Sequence, residues 1–403
     1  MSRFMERISA DIVIAGGGVA GLSCAAAFGA AGFSVVCVDP APPVTDNTSV
    51  GTDHRTTAFF QGSRNFLADA GIWERLDAHA APLQVMRIVD AGGVDPEPRV
   101  IKDFNASDIS DLPFGWNLPN WLLRREMVAR LGELDTVDFR AGVGFKSMTT
   151  RETEALVMLT DGTQVRCKLV IGADGRNSAV RQAAGIEAKT TRYGQKAVVF
   201  AVTHEAPHYN VSTEVHRSGG PFTLVPLPDQ DGKPCSAVVW MENGAEVLRL
   251  RDLPEDEFNE AATERSAGIY GPLRVVGKRQ AWPIISQVAD RMTAQRCALV
   301  AEAAHVVPPI GAQGLNMSLG DMICLLDLAK ERPDGLGDAQ MLATYERRRH
   351  SEVVLRVKGV DALNRASIAG AQSIRDLRAK GIEALYSVAP VRKALMEMGL
   401  GAR

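Results

Sequence analysis

The 403-residue sequence is poor in the residues that staple chains or hold metals. Its six cysteines (Cys24, Cys37, Cys167, Cys235, Cys297 and Cys324) are scattered, with no C-x-x-C pair and no zinc-type spacing. Cys37 in SVVCVD and Cys167 in VRCKLV sit inside apolar runs and read as small core residues. A disulfide framework is therefore disfavoured, and a reducing, cytoplasmic setting fits. Neither sign of charge dominates: 45 basic against 48 acidic residues leave a net charge of -3, no whole-chain case for nucleic acid. No run approaches the roughly 18–20 uninterrupted apolar residues that span a bilayer. The opening MSRFMERISA lacks the apolar stretch of a signal peptide. Internal repeats and low-complexity segments are lacking, and no Ser-His-Asp set, metal cluster or paired acid stands out.

What is present is ordinary globular composition, 46% hydrophobic and 23% charged, on a length suited to roughly two or three domains. The N-terminus alternates strand and helix: DIVIAGG, a small-residue helix from about Val19, then SVVCVD, a βαβ unit. Pro40, Pro42 and Pro43 end that second strand and open a polar loop through residue 57. The stretch SRNFLADAGIWERL reads as helical, as does WLLRREMVARLGEL (121–134). Residues 83–120, rich in Pro, Gly and Asp, give no clean pattern. From Val137 to Ile171 short strands are expected, with Asp161-Gly162 at a hairpin turn. A second strand-rich region spans about 192–283, interrupted by one amphipathic helix near 255–268. Strand CALVAEAA, a loop and helices complete the chain.

Gly16-Gly17-Gly18-Val19-Ala20-Gly21 matches G-x-G-x-x-G between strand and helix. In such a turn the first glycine bends the chain, and the second lets backbone approach a pyrophosphate. The third permits close helix–strand contact, and the helix start offers free N–H groups to phosphate. Asp39 ends the next strand, placed to accept hydrogen bonds from a ribose. This motif alone does not separate FAD from NAD. Two later segments bear on that choice. Leu169-Val170-Ile171-Gly172-Ala173-Asp174-Gly175 ends a strand in an acid and a glycine, followed by Arg176, Ser178 and Arg181. Far downstream, Ala301-Glu302-Ala303-Ala304-His305 leads into Val306-Val307-Pro308-Pro309-Ile310-Gly311-Ala312-Gln313-Gly314-Leu315-Asn316, and then Asp321. A strand ends in an acid, prolines stiffen a loop, and glycines open a new helix whose amides can face an anion or an electron-rich ring edge.

With these three segments in this order, the chain resembles the FAD-dependent aromatic hydroxylases, the family of para-hydroxybenzoate hydroxylase and the ubiquinone-biosynthesis hydroxylases. The resemblance runs over essentially the full length, weakest in 83–120 and the β-rich insertion. It implies an α/β fold: a Rossmann-like FAD-binding domain with an inserted β-sheet substrate domain and a helical C-terminus. The expected FAD-binding segments are 1–80, 121–190 and 286–345. Residues 81–120 and 191–285 would build the substrate domain, and 346–403 the C-terminal helices. By the same resemblance, Gly16, Gly18, Val19, Ala20 and Gly21 would cradle the FAD pyrophosphate, with Asp39 on the adenosine ribose. Arg55 would lie near the flavin and Arg124 near the cofactor's phosphates. Asp174 and Gly175 would lie by the FAD and take part in handling reduced nicotinamide. Glu302, Gly311, Gln313, Gly314, Leu315 and Asn316 would wrap the ribityl chain and pyrimidine end. Pro308 and Pro309 would form the wall between flavin and substrate, and with Arg55 make up the expected catalytic set. His305 is expected to shape its loop rather than act as a base. Where the family has Gly-Asp before Ala-Ala-His, this chain has Ala301-Glu302, a carboxylate one methylene longer. Trp240, Trp282 and Tyr193 are candidates for a substrate cavity, although buried aromatics are more often plain core.

The implied activity is hydroxylation of an aromatic ring. NADH or NADPH, visiting as a transient reductant, would deliver hydride to the flavin. O2 trapped at flavin C4a as a hydroperoxide would then give one oxygen to the ring, the cofactor carrying the hard chemistry. The C-terminal third bears on the substrate. Residues 346–403 hold 12 Lys or Arg against 6 Asp or Glu. Asp53-x-Arg55, Tyr345-Glu346-x-Arg348-Arg349 and the tail's Arg, Gly-hydrophobe, Pro, Met-Gly pattern are similar to those of the ubiquinone-biosynthesis hydroxylases. A basic amphipathic end suits a peripheral protein that takes a polyprenylated phenol from the inner face of an anionic membrane. The alternatives are a soluble phenol as substrate, a flavin reductase or dehydrogenase of the same fold, and a non-catalytic flavin-bound subunit of a biosynthetic complex.

Overall fold

The computed structural model describes residues 6–95, 97–217, 219–368 and 370–400. Most of the N-terminal segment read above (1–5), the last three residues and the side chains of the Met398-Gly399 pattern lie outside the described residues. The chain opens with β1 (Ile12–Ala15), α1 (Val19–Ala30) and β2 (Val35–Asp39). Every residue of β1 is buried, as a parallel strand covered on both faces requires. The 52–131 stretch supplies β3 (Thr56–Phe60), α2 (Gln61–Asp69), β4 (Val85–Asp90), β5 (Val100–Asn105), β6 (Gly115–Pro119) and α3 (Asn120–Leu131). Next come β7 (Val137–Ala141), β8 (Leu169–Gly172) and four longer strands: β9 (Ala188–Thr203), β10 (Val211–His216), β11 (Pro221–Gln230) and β12 (Lys233–Asn243). Helices α4 (Gly244–Asp252) and α5 (Glu255–Arg265) precede β13 (Arg274–Ala289) and β14 (Cys297–Leu299). The remainder is α6 (Gln313–Glu331), α7 (Ala339–Ile368), α8 (Gln372–Ser387) and α9 (Ala389–Leu400).

Two sheets position the site. In the first, β14, β8, β1, β2 and β7 are neighbours in that order and all run parallel. Strand β14 therefore returns, from residue 297, to the flank of a sheet begun at residue 12. The second is eight-stranded, with the short strand His305–Val306 followed by β13, β9, β12, β11, β10, β4 and β5. One of its faces carries Val198, Phe200, Phe222 and Trp240, packed as a core with Phe258 of α5. The opposite face looks back towards the first sheet.

The unpatterned stretch 83–120 thus contributes β4 and β5 to the inserted sheet, and β4 pairs with β10 more than a hundred residues away, Val85 opposite Val211. A strand whose partner is that distant leaves little local signature. Two other differences are local. One helix was expected near 255–268; α4 stands before it, started by Asn243, whose side chain accepts from Ala245 N–H at 3.0 Å. The strand expected at CALVAEAA stops after three residues and becomes a 3-10 turn at Ala301–Ala303.

The Tyr345–Arg349 segment anchors α7 to the first sheet. The Tyr345 hydroxyl donates to Leu299 O at 2.9 Å, and Glu346 accepts from Met292 N–H at 2.8 Å. Arg349 donates to Asp321 on α6 at 3.0 Å. Helix α8 is tied to the inserted sheet by Arg378–Asp90 at 2.8 Å and Asp376–Arg99 at 2.6 Å.

Candidate cofactor and substrate site

A cavity of about 780 Å³ lies between the sheets, reaching from the first glycine turn to strands β10, β11 and β12. At its first end the turn after β1 is dictated by backbone geometry. Gly16 has φ +119°, and a Cβ there would stand 2.2 Å from Ala173 O. A Cβ on Gly21 would sit 1.8 Å from Gly16 O, so only glycine lets α1 lie this close to the turn. Around Gly18, by contrast, a Cβ would meet nothing within 4 Å: this is open space at a helix start. Asp39 closes this end, one oxygen accepting from Gly17 N–H at 2.5 Å and the other from Ala41 N–H at 2.8 Å.

Asp174 and Gly175, after β8, line the same cavity. One Asp174 oxygen accepts from Ala179 N–H at 2.7 Å, whereas Oδ1 is buried without a partner. Buried polar atoms are normally satisfied, so Oδ1 is an acceptor in wait of a donor. Glu302, His305, Pro309, Gly311, Gln313, Gly314 and Leu315 complete the far wall. Helix α6 starts there from Ala312, which adopts the left-handed conformation at φ 54°. Ala301 also has positive φ, 55°, at the position where the resembling family carries glycine.

Arg55 and Arg124 meet on one carboxylate. Arg55 forks onto Asp53 at 2.8 and 2.7 Å, and Arg124 reaches the same group at 3.3 Å. Asn120 donates to it at 3.0 Å. Burial alone would push the Asp53 carboxyl up, but the Arg55 fork, Asn120 and the Arg124 charge outweigh it and hold it below the usual range. The Arg55 guanidinium lies 4.2 Å from the centre of the Trp282 ring. A second buried cluster stands behind the far wall. Asp321 is fully buried and accepts from His305 at 2.6 Å, from Arg349 and from Ala301 N–H at 3.2 Å. His305, which also lines the cavity, is thereby held against α6. Burial raises the Asp321 carboxyl, yet the His305 and Arg349 charges and hydrogen bonds lower it overall.

Of the residues singled out in the sequence, Gly16, Gly18, Val19, Ala20, Asp39, Arg55, Arg124, Asp174, Gly175, Glu302, Pro309, Gly311, Gln313, Gly314 and Leu315 line the one cavity. Three are placed otherwise. Gly21 acts by close approach. Pro308 is buried outside the lining, its carbonyl accepting from Ile310 N–H at 2.8 Å. Asn316 is a clamp: it donates to Ala58 O at 2.8 Å and accepts from Phe60 N–H at 2.9 Å, tying α6 to β3. Trp240 is packed in the core on the sheet's other face, Tyr193 bonds Asp361 of α7, and neither lines the cavity. Sequence reading noted Asp53 only within Asp53-x-Arg55 and gave it no place in the site, although it organises both arginines. It also missed the substrate-side wall of Leu83, Met86, Phe114, Asn117, Glu214 and Thr223, which carries no motif.

These residues fit FAD: an elongated cavity, an open phosphate-facing turn at Gly18, and an orphaned acceptor on Asp174. Comparison with known proteins agrees. The chain is 32% identical over 395 residues to the ubiquinone hydroxylase UbiL of Rhodospirillum rubrum, covering 97% of this chain and 90% of that one. It is 27% identical to the human mitochondrial ubiquinone biosynthesis monooxygenase COQ6, over 96% of this chain and 91% of the relative. The p-nitrophenol 4-monooxygenase PnpA of Pseudomonas putida DLL-E4 superimposes with a TM-score of 0.79 at 19% identity, over 98% and 99% of the two chains. Another fold neighbour, the flavin-dependent monooxygenase PieE in complex with FAD and substrate, gives a TM-score of 0.72 at 22% identity, over 98% of this chain and 72% of that one. The sequence profile described as FAD binding domain matches residues 9–360, and the chain belongs to that family.

Proposed function

We propose that the chain is an FAD-dependent monooxygenase that hydroxylates an aromatic ring, with a polyprenylated phenol of ubiquinone biosynthesis as substrate. The observation that carries this reading is a single cavity that joins the glycine turn, Asp174 and the 302–315 wall to an apolar chamber on the inserted sheet. The relatives named as ubiquinone hydroxylases, matched over nearly the whole chain, support the substrate class. Bound FAD would accept hydride from a reduced nicotinamide and activate O2 for insertion into the ring.

The chain's own residues would hold that group and exclude water. Gly16 and Gly18 with the start of α1 would receive the diphosphate, Asp39 the ribose and Asp174 Oδ1 a cofactor hydroxyl. Glu302 and the start of α6 would face the ribityl chain and ring edge, while Arg55 and Arg124, fixed by Asp53, supply positive charge beside them. Pro309 would separate ring from substrate. On this reading segments 1–80, 121–190 and 286–345 build the cofactor half, and 81–120 and 191–285 the substrate half. A second cavity, about 640 Å³ and lined by Arg176, Arg181 and Arg192, adjoins the Asp174-Gly175 segment. Its cationic lining supports a visiting NADH or NADPH, whose phosphates it would attract.

No helix among the described residues is long and apolar enough to cross a membrane. Peripheral contact is supported by the exposed Ile374, Leu377, Leu385 and Val388 on and just after α8. The basic excess of the tail contributes less than its count implies, because Arg349, Arg356, Arg365, Arg378 and Arg392 each face a carboxylate. The test is NAD(P)H oxidation by FAD-loaded protein with a short-chain prenylphenol under 18O2. One labelled oxygen in the phenol is the expected result. Oxidation unaffected by any phenol, with electrons passing anaerobically to an acceptor, would replace the reading with a reductase.

A further inference from the structure

The substrate end of the cavity is apolar at Leu83, Met86, Phe114, Val225 and Val239. Four polar side chains interrupt it, Ser212 on β10 and three others. Glu214 and Thr223 stand directly opposite one another on β10 and β11. Asn117 reaches over from β6, its amide nitrogen donating to Pro226 O at 2.9 Å. All three line the cavity, and two carry orphaned atoms: Thr223 Oγ1 and Asn117 Oδ1 are buried without a partner. Glu214 is only 5% exposed. A carboxylate this deep in an apolar wall is rare unless paired. Its partner is His216 Nε2, at 2.8 Å, two residues along the same strand face. The other ring nitrogen of His216 is 3.2 Å from Ser367 Oγ on α7. Asp90, opposite His216 on β4, is engaged by Arg99 and Arg378. A purely structural Glu214–His216 pair accounts for neither orphan. A ligand hydroxyl that gives its one proton to Glu214 can still accept from Thr223 Oγ1, which accounts for that orphan directly opposite.

Resting on the proposed reading, we infer that Glu214 is the catalytic base for the substrate hydroxyl, with Thr223 donating to that hydroxyl beside it. As the ring carbon bonds to one oxygen of O2 and the O–O bond breaks, the other oxygen leaving as water on two electrons from the reduced cofactor, an electron pair moves from the hydroxyl oxygen into the ring. The O–H bond becomes strongly acidic; it breaks as C=O forms, and its proton passes to a Glu214 oxygen. The hydrogen on the newly oxygenated carbon then leaves as a proton, and the ring regains aromaticity with the carbonyl oxygen reprotonated. His216 is a positioning residue that holds the carboxylate aimed into the cavity.

The test compares a short-chain prenylphenol with its methyl ether, which has no proton to give. Titrated into FAD-loaded wild type, the phenol should bind about 10- to 100-fold more tightly than the ether, the range of a hydrogen bond to a charged acceptor. In Glu214→Leu that preference should fall to near one. In Glu214→Gln, which keeps size and polarity, phenol binding should persist. Product formed per unit time should then fall about 100-fold or more, the usual contribution of a general base, with a lower yield of product per nicotinamide consumed. A Glu214→Leu protein that still prefers phenol, or a Glu214→Gln protein that hydroxylates at the wild-type rate, overturns the assignment while leaving the monooxygenase reading standing. Wild type that binds neither compound removes both.

Discussion

Two glycines three residues apart should fail in opposite ways when replaced. Because a Cβ at Gly18 would meet nothing within 4 Å, Gly18→Asp should leave the stability of cofactor-free protein within about 0.5 kcal/mol of wild type, as at an unhindered surface position. Its carboxylate, however, enters the space open to a diphosphate. One like-charge pair at about 4 Å and an effective dielectric near 20 costs about 4 kcal/mol, or roughly three decades in Kd. Gly21→Ala reverses the pattern. In an unhindered helix interior the change would gain about 1 kcal/mol. Here the new Cβ lies 1.8 Å from Gly16 O, so α1 must move off the turn, and overpacking of this kind costs about 1–3 kcal/mol or more. The two quantities are read by thermal unfolding of the cofactor-free proteins and by quenching of flavin fluorescence on titration with FAD. A Gly18→Asp protein that binds FAD within tenfold of wild type would refute the placement of the diphosphate. A Gly21→Ala protein more stable than wild type would refute the close approach.

Other perturbations address the wall behind the 302–315 segment. Asp321→Asn leaves Arg349 buried beside a neutral group and should cost about 3–5 kcal/mol; adding Arg349→Met should recover part of that loss, and strict additivity in a double-mutant cycle would contradict the pairing. Asp53 and Asp321 are both held below the ordinary carboxylate range, so their stabilisation is complete above about pH 4 and fades as pH falls through the lower folded-state values, with no counterpart on the alkaline side. Melting temperatures measured down an acid series should show this limb, and Asp321→Asn should flatten it. Ala301→Gly should leave stability unchanged or slightly raised, because relief of a left-handed alanine, about 1 kcal/mol, offsets the greater freedom of glycine in the unfolded chain, about 0.4–1 kcal/mol; a fall of many degrees in melting temperature would show that the φ of 55° carries no strain.

Backbone-driven features were legible without coordinates. The glycine turn, Asp39 at the end of β2, the Asp174-Gly175 corner and the Gly311–Leu315 helix start all arise from local rules. A tight turn needs glycine, a helix start presents N–H groups, and a buried parallel strand reads as an unbroken apolar run. Such signals lie within a few residues of one another, so order along the chain preserves them. The same locality explains Gly162 at the hairpin turn, which the structure places at φ 95° between paired strands.

What only tertiary structure decided depends on contacts between distant segments. Strand β4 becomes recognisable when β10 supplies its partner, and the Glu214–Thr223 pair exists only in the register of β10 on β11. Asp53 gains its role because α3 brings Arg124 and Asn120 to it across roughly seventy residues of sequence. Pro308 and Asn316 fall within a recognisable motif, yet the fold turns one into the interior and spends the other on clamping α6 to β3. The basic count of the tail likewise loses meaning once its arginines find carboxylates on other elements. Composition and spacing determine which backbone turns can form. Which side chain faces a cavity, and which charge is already neutralised, is set by sheet register and by helices that arrive hundreds of residues later.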